Sequence, residues 1–290
     1  MKLLAVLEAT TGHFARHGLA SPRLQAELLI AHVLSLPRLG LYLQFERELN
    51  PAELDSLRTM VRRRASREPL QHITGTTGFA GLTLRCNSCA LIPRPETEIL
   101  VEHATRILQN LTASLVIDVG TGTGAIPLAL ARRQQKHRYL GLDVSSDALA
   151  LARENASQPS SVPPEGTRVE WKQNDLLQDF TESATLITAN LPYLTPEEIA
   201  SAEPEVRHDP ALALDGGQDG LDLIRRLLPQ AVKIAPLILL ECGPTQTETV
   251  SDLARKAGYT EINVHPDLTS RPRIVEARRN GDPCLPSQFA

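Results

Sequence analysis

Gly120-Thr121-Gly122-Thr123-Gly124 follows the apolar run Leu115-Val116-Ile117-Asp118-Val119 and leads into Ala125 and a helical pattern. Glycine is needed where a backbone turns tightly and a ligand must come against it. The helix N-terminus beyond offers unpaired N–H groups to a negative group. Nineteen residues after Gly124 comes Asp143, closing the run Tyr139-Leu140-Gly141-Leu142-Asp143. A carboxylate there accepts hydrogen bonds from ribose hydroxyls, so loop and acid together imply a ribose-bearing cofactor. Gly120-x-Gly122-x-x-Ala125 also satisfies a loose dinucleotide fingerprint, which leaves the cofactor open at this point.

Two further patterns tilt the reading. Asp118-x-Gly120-x-Gly122-x-Gly124 resembles the first motif of Rossmann-like methyltransferases, whose loop packs against the methionine part of S-adenosylmethionine. Pro127 fits the first turn of the following helix, where N–H groups lack intrahelical partners. The run Leu186-Ile187-Thr188-Ala189 then ends in Asn190-Leu191-Pro192-Tyr193. This resembles the Asn/Asp-x-Pro-aromatic motif of methyltransferases acting on planar nitrogens. Such a nitrogen is a poor nucleophile because its lone pair is delocalised, so acceptors must grip both N–H bonds and aim its face at the methyl group. The Asn190 side-chain oxygen and the Leu191 carbonyl can be those acceptors, Pro192 stiffens the turn, and Tyr193 can stack on the flat group. Catalysis is then mainly orientation and electrostatics.

The elements that must position these residues are legible as periodicity. Strand-like runs lie at 115–119, 138–143, 168–173, 184–190, 237–242, 260–265 and 272–278, and helix-like runs at about 124–135, 146–156, 219–234 and 245–257. This alternation predicts a mostly parallel sheet with helices on both faces, where ligands bind at the C-terminal strand ends. The first 70 residues read as helices. Ser21-Pro22 and Asn50-Pro51-Ala52-Glu53 are the expected starts of two of them. Gly75, Gly78 and Gly81 punctuate a hairpin or linker over 71–92, and a helix is expected from about Thr97 to Leu108.

Composition narrows the setting. The chain has 290 residues, 42% hydrophobic, with net charge −4, enough to bury a large core without disulfide or metal staples. No run approaches the roughly 18 to 20 apolar residues of a membrane span, and Glu8 interrupts the start before a signal peptide forms. The expectation is a cytoplasmic protein without membrane contact. The charge is unevenly spread: residues 1–93 carry +4 and residues 94–290 carry −8. An acidic catalytic half argues against direct nucleic-acid binding. Arg62-Arg63-Arg64 with Arg67 reads as a solvated helix face, with a docking surface for an acidic partner as the sharper alternative. Cys86-Asn87-Ser88-Cys89 has metal-ligand spacing but no second pair, because Cys242 and Cys284 are lone and distant, so no metal site is expected. His103 reads as a core or partly exposed residue. No hydrolase, metalloprotease or P-loop motif is present.

Over nearly its whole length the chain resembles the release factor glutamine methyltransferases, the HemK/PrmC family. The resemblance rests on Glu68-Pro69-Leu70-Gln71-His72-Ile73-Thr74-Gly75, Leu91-Ile92-Pro93-Arg94-Pro95-Glu96-Thr97-Glu98, the glycine loop and Asn190-Leu191-Pro192-Tyr193. It continues in Ala213-Leu214-Asp215-Gly216-Gly217-Gln218-Asp219-Gly220-Leu221-Asp222 and Asp267-Leu268-Thr269-Ser270-Arg271-Pro272-Arg273-Ile274-Val275. It implies an α/β fold: a Rossmann-like, seven-stranded S-adenosylmethionine-dependent domain (94–280) after a helical substrate-docking domain (1–72) and a β-hairpin linker (73–93), with a tail at 281–290. It implies methyl transfer to the side-chain amide of the Gln in the Gly-Gly-Gln motif of class 1 peptide release factors, with S-adenosylhomocysteine as product. By position, Gly120, Thr121, Gly122, Thr123, Gly124 and Asp143 contact the cofactor, Asp175 and Leu176 border its adenine, and Asn190 touches both cofactor and substrate. Asn190, Leu191, Pro192 and Tyr193 hold the glutamine amide. The family usually carries Pro where this chain has Leu191, and Asn-Leu-Pro-Tyr resembles the rRNA adenine dimethylases. An adenine-amino methyltransferase on RNA or DNA is therefore the alternative, and a cofactor-binding module without turnover is a third reading. A monomer is the default expectation.

Overall fold

The computed structural model describes residues 1–279, so the expected tail at 281–290 and Cys284 lie outside the described residues. The chain divides into two units: Met1–Thr76 with Glu203–His208, and Thr77–Ala202 with the chain from Asp209 onward.

The first unit holds α1 (Leu3–Arg16), α2 (Pro22–Val33), a 3-10 turn over Arg38–Leu43, α3 (Pro51–Ala65) and the short α4 (Leu70–Thr74). Leu3, Leu7, Phe14, Leu29, Ile30 and Leu41 are fully buried at its centre. Asn50 caps α3 as its sequence implies: its Oδ1 accepts from the Glu53 amide at 2.9 Å and Glu53 returns the bond. Ser21 differs. It precedes α2 in the left-handed region with no side-chain cap, so Pro22 alone marks that start. The arginine run also departs from a purely solvated face. Arg64 is buried and Arg67 partly so, and both donate to the carboxylate of Glu205, at 2.7 and 2.8 Å. A carboxylate more than a hundred residues away was invisible to local pattern.

The second unit opens with a hairpin, β1 (Thr76–Phe79) and β2 (Leu82–Arg85), then α5 (Pro95–Gln109). A seven-stranded sheet follows: β3 (Leu115–Val119), β4 (Arg138–Asp143), β5 (Val169–Gln173), β6 (Leu186–Asn190), β7 (Leu237–Glu241), β8 (Glu261–Pro266) and β9 (Pro272–Arg278). Their order is β5-β4-β3-β6-β7-β9-β8. The first five in that order run parallel, and β9 runs antiparallel to both β7 and β8. Helices α6 (Ala125–Arg133), α7 (Ser146–Ala156), α8 (Pro196–Ser201), α9 (Asp222–Ile234) and α10 (Thr247–Ala257) connect the strands.

Alternation along the strands builds two cores. Ile117, Val119, Ile238 and Leu240 face one cluster with α9 and α10, while Val116, Leu237 and Leu239 face the other with α5 and α6. Both faces are covered, so β3 and β7 are buried at every residue and read as continuous apolar runs. Strand order reverses at β3, with β4 on one side and β6 on the other. A crevice forms at such a switch point, beyond the carboxyl ends of the strands. His103 is partly exposed on α5, its ring tilted against that of His265 of β8 with centroids 4.0 Å apart. No helix among the described residues is long and apolar enough to cross a membrane.

Candidate active site

At the C-terminal end of β3 the backbone enters Gly120, Gly122 and Gly124 with φ of +72, +54 and +78. Side-chain-bearing residues adopt that region at a cost of roughly 1–2 kcal/mol each. Two of the three glycines are further constrained by packing. A Cβ on Gly120 would meet the Leu191 side chain at 2.8 Å, and one on Gly124 would meet the Trp171 ring at 2.6 Å. Gly124 thus serves packing beneath the loop, and Leu191 joins the cofactor loop to the end of β6.

Asp143 fixes the loop from the neighbouring strand. One carboxylate oxygen accepts from the Gly122 amide at 2.8 Å and the other from the Ser145 amide at 2.9 Å. Burial raises its pKa, against the pull of those backbone N–H groups. A carboxylate has about four acceptor sites, so two remain for a diol. Asp118, one strand turn before the loop, is buried beneath it. Thr188 Oγ1 donates to its Oδ1 at 2.7 Å while Oδ2 has no partner, and burial pushes the group up to about 7.

A cavity of about 340 Å³ opens over these strand ends, within the range of ligand pockets. Gly120, Thr121, Gly122, Thr123 and Asp143 line it together with Asp175, Leu176, Asn190, Leu191 and Pro192. Ten of the residues singled out in the sequence thus share one cleft, although they come from four separate strand ends. Gly124 and Tyr193 do not line it. Tyr193 is largely buried, which raises its hydroxyl to about 12. The guanidinium of Arg273 donates to that hydroxyl and lies 5.0 Å from the ring centroid. One face of the tyrosine is therefore already covered by an internal cation.

The donor set suits S-adenosylmethionine. Asp143 offers acceptors for ribose hydroxyls, the glycine turns leave room for close backbone approach, and apolar Leu176, Val144 and Leu223 line the same cavity. Leu176 holds φ +52, a strained conformation that a non-glycine residue keeps only where its surroundings fix it. Asp175 also lines the cleft, and its carboxylate pairs with Arg226 of α9 at 2.5 Å.

Sequence reasoning passed over several residues of this site. Arg94, Thr97, Asn174 and Arg226 line the cavity. Arg94 is anchored by Asp209 at 2.5 Å. Thr97 accepts a 3.0 Å hydrogen bond from Asn190 Nδ2. Arg94 and Thr97 fall inside the Arg-Pro-Glu-Thr-Glu element, so the family pattern carried the signal without the role. The glycine element 214–220 has a scaffold role. The Leu194 N–H donates to the Leu214 carbonyl at 3.1 Å, its carbonyl accepts from the Gly216 N–H at 2.9 Å, and Gln246 Nε2 donates to the Tyr193 carbonyl at 2.9 Å. Cys86 and Cys89 are both free, and burial raises the Cys86 thiol to about 12. Among the described residues no group of three or more His, Cys, Asp or Glu could hold a metal ion.

Known proteins place this geometry in context. Residues 5–75 match a family profile described as the PrmC N-terminal domain, and residues 116–208 match one described as a methyltransferase domain. The release factor glutamine methyltransferase of Deinococcus radiodurans is 40% identical over 284 residues, covering 97% of this chain and 100% of that protein. That of Geobacter sulfurreducens is 37% identical over 278 residues, covering 94% and 95%. Among solved structures, the catalytic domain of hMettl16 in complex with the MAT2A 3′UTR hairpin 6 shares the fold. Its TM-score is 0.56 at 14% identity, with 81% of this chain and 84% of that one covered. With a full-length relationship at this identity, and a glycine loop, ribose acid and planar-nitrogen motif on one cleft, the chain belongs to the release factor glutamine methyltransferase family.

Proposed function

We propose that this protein transfers the methyl group of S-adenosylmethionine to the side-chain amide nitrogen of the Gln in the Gly-Gly-Gln motif of class 1 peptide release factors. One observation carries the reading: Asn190, Leu191 and Pro192 line the same cavity as the glycine loop and Asp143. The groups that grip a planar amide thus stand beside those that hold the methyl donor. Bound there, S-adenosylmethionine supplies an electrophilic methyl group and leaves as S-adenosylhomocysteine.

The protein's own part is orientation. Asn190 Nδ2 is committed to Thr97 Oγ1, which leaves Oδ1 to accept one N–H of the substrate amide. The Leu191 carbonyl has no backbone partner among the described residues and can accept the other. Leucine at 191 does not remove that carbonyl, and its side chain adds packing against Gly120. With both N–H bonds held, the nitrogen presents its face to the methyl carbon. The proton it sheds after bond formation passes to solvent, and no strong base is needed. Effective molarities from such positioning account for about 7–11 kcal/mol of barrier in favourable cases.

Asp175 and Leu176 would border the adenine and Tyr193 would support the amide pocket from behind its wall. The helical unit would help hold the release factor. The enzyme would work as a monomer in the cytoplasm, without direct contact to nucleic acid, and the −8 charge of residues 94–290 supports that last point. The test is incubation of the protein with labelled cofactor and a purified release factor. Label enters the wild-type factor and not one whose Gly-Gly-Gln glutamine is replaced. Label appearing instead in RNA or DNA would favour the adenine-amino reading that Asn-Leu-Pro-Tyr motivates.

A further inference from the structure

Asn190 can offer its oxygen to a substrate amide only if its nitrogen points the other way. A carboxamide can be turned over with little change of shape, so something must set its sense. Beside Asn190, from the cleft wall inward, runs a buried polar chain of which the proposed reaction uses only Thr97. Asn190 ends β6 in register with Glu241, which ends β7. The Glu241 side chain is fully buried. Between them stands Thr97 of α5, 5% exposed, whose Oγ1 receives the Asn190 Nδ2 bond at 3.0 Å.

The Thr97 hydroxyl is close enough to Glu241 to oppose the upward push that burial gives its carboxyl. No fully formed hydrogen bond joins the two, and Glu241 Oε2 is left without a partner. A hydroxyl rotates freely about its C–O bond, and here its proton has a buried anionic acceptor within reach. Glu241 Oε1 meets Arg273 Nη2 at 3.3 Å, and the same nitrogen donates to the Tyr193 hydroxyl. A buried carboxylate is tolerated only when paired. Here the pairing connects both polar members of the Asn-Leu-Pro-Tyr motif.

We propose that Glu241 is the positioning residue that sets the sense of the Asn190 amide. Paired with Arg273, the Glu241 carboxylate has only acceptor sites, and its unpartnered Oε2 is open to the Thr97 hydroxyl proton. Thr97 Oγ1 must then accept from Asn190 Nδ2, and Asn190 Oδ1 faces the cleft. Through Arg273 the same carboxylate holds Tyr193. Thr97 and Arg273 are positioning residues of the same chain. The kinetic arm of the test rests on the methyl-transfer reading above, and the spectroscopic arm does not.

Glu241→Gln keeps the shape and inverts the polarity. The new carboxamide gives its oxygen to Arg273 and its N–H to Thr97 Oγ1. The Thr97 proton, deprived of its carboxylate acceptor, turns to Asn190, and the amide turns its N–H groups toward the substrate's own. With wild-type transfer as control, E241Q lowers kcat roughly 10²-fold, the scale of losing one preorganised contact, while cofactor affinity holds. Thr97→Val lowers kcat similarly and Thr97→Ser restores it. Unchanged kcat in E241Q and T97V would overturn the proposal.

Should E241Q fold poorly, the Thr97 pair decides. Should wild type itself transfer nothing, the substrate reading fails and the second arm still decides. In protein labelled with 15N at asparagine, the Asn190 side-chain signals are identified by their loss in Asn190→Ala. One Asn190 amide proton exchanges slowly with solvent in wild type and T97S, and fast in T97V and E241Q. Equal exchange in all four would overturn the proposal independently of activity.

Discussion

Asn190 has to satisfy two demands at once, a fixed back side and a free front side. Replacing it with alanine removes the front acceptor. Asn190→Ala should lower kcat by about 10²–10³, or roughly 3–4 kcal/mol of transition-state stabilisation. Cofactor affinity measured by calorimetry should stay near wild type, because Asp143 and the glycine turns are untouched. Wild-type turnover in that variant would reject the role. Asp118 makes a prediction of a different kind. Its folded pKa lies near 7, raised from 3.8 by burial, so folding favours the protonated form. The stabilisation is complete below the unfolded value and is lost as pH rises through about 7. Asp118→Asn carries no charge at any pH. In urea unfolding, wild type should therefore lose stability relative to D118N across about pH 4 to 8, and a pH-independent difference would contradict the burial argument. The glycine loop, Asp143 and Asn190 were legible in sequence because each is a local pattern. Glu241 and Arg273 were not, because their roles depend on strand registers that bring residues 50 to 80 positions away beside Asn190 and Tyr193.

At the scale of elements, the loop 214–220 does more than connect. Gly220 has φ +73, and a Cβ there would run into the Tyr193 carbonyl and the Gln246 amide. The loop can pass beneath the Asn-Leu-Pro-Tyr exit only as glycine. Gly220→Ala should cost roughly 2 kcal/mol or more of stability and reduce kcat with it. Gly166→Ala is the control: φ is +82 but nothing lies within 4 Å, so only the backbone term of about 1 kcal/mol applies. Equal losses in the two variants, read by chemical denaturation, would show that close approach to Tyr193 is not what Gly220 provides. The central strands β3 and β7 were readable almost to the residue, since buried parallel strands are uninterrupted apolar runs. The reversal of β9 was not readable, because direction leaves no trace in a strand's periodicity. Nor was the left-handed turn at Ser21, where serine before proline has the composition of a cap without its geometry.

Charge is spread unevenly along the whole molecule, and each unit has its own apolar core. Residues 1–93 carry +4 and the rest −8, and the helical unit packs around its own apolar centre. What sequence alone could not see is that residues 203–208 return to that unit, with Glu205 neutralising Arg64 and Arg67. Part of the basic run is thereby spent on internal pairing, so the cationic surface is smaller than the count of arginines suggests. The enzyme is an S-adenosylmethionine-dependent methyltransferase of the release factor glutamine family, and the central claim is the atom it methylates. Fragment mass spectrometry of a class 1 release factor, after incubation with enzyme and S-adenosylmethionine, locates that atom. The account predicts one added methyl on the side-chain amide of the Gly-Gly-Gln glutamine, absent with Asn190→Ala. An unmodified glutamine under saturating cofactor, or a methyl on any other residue, would contradict it.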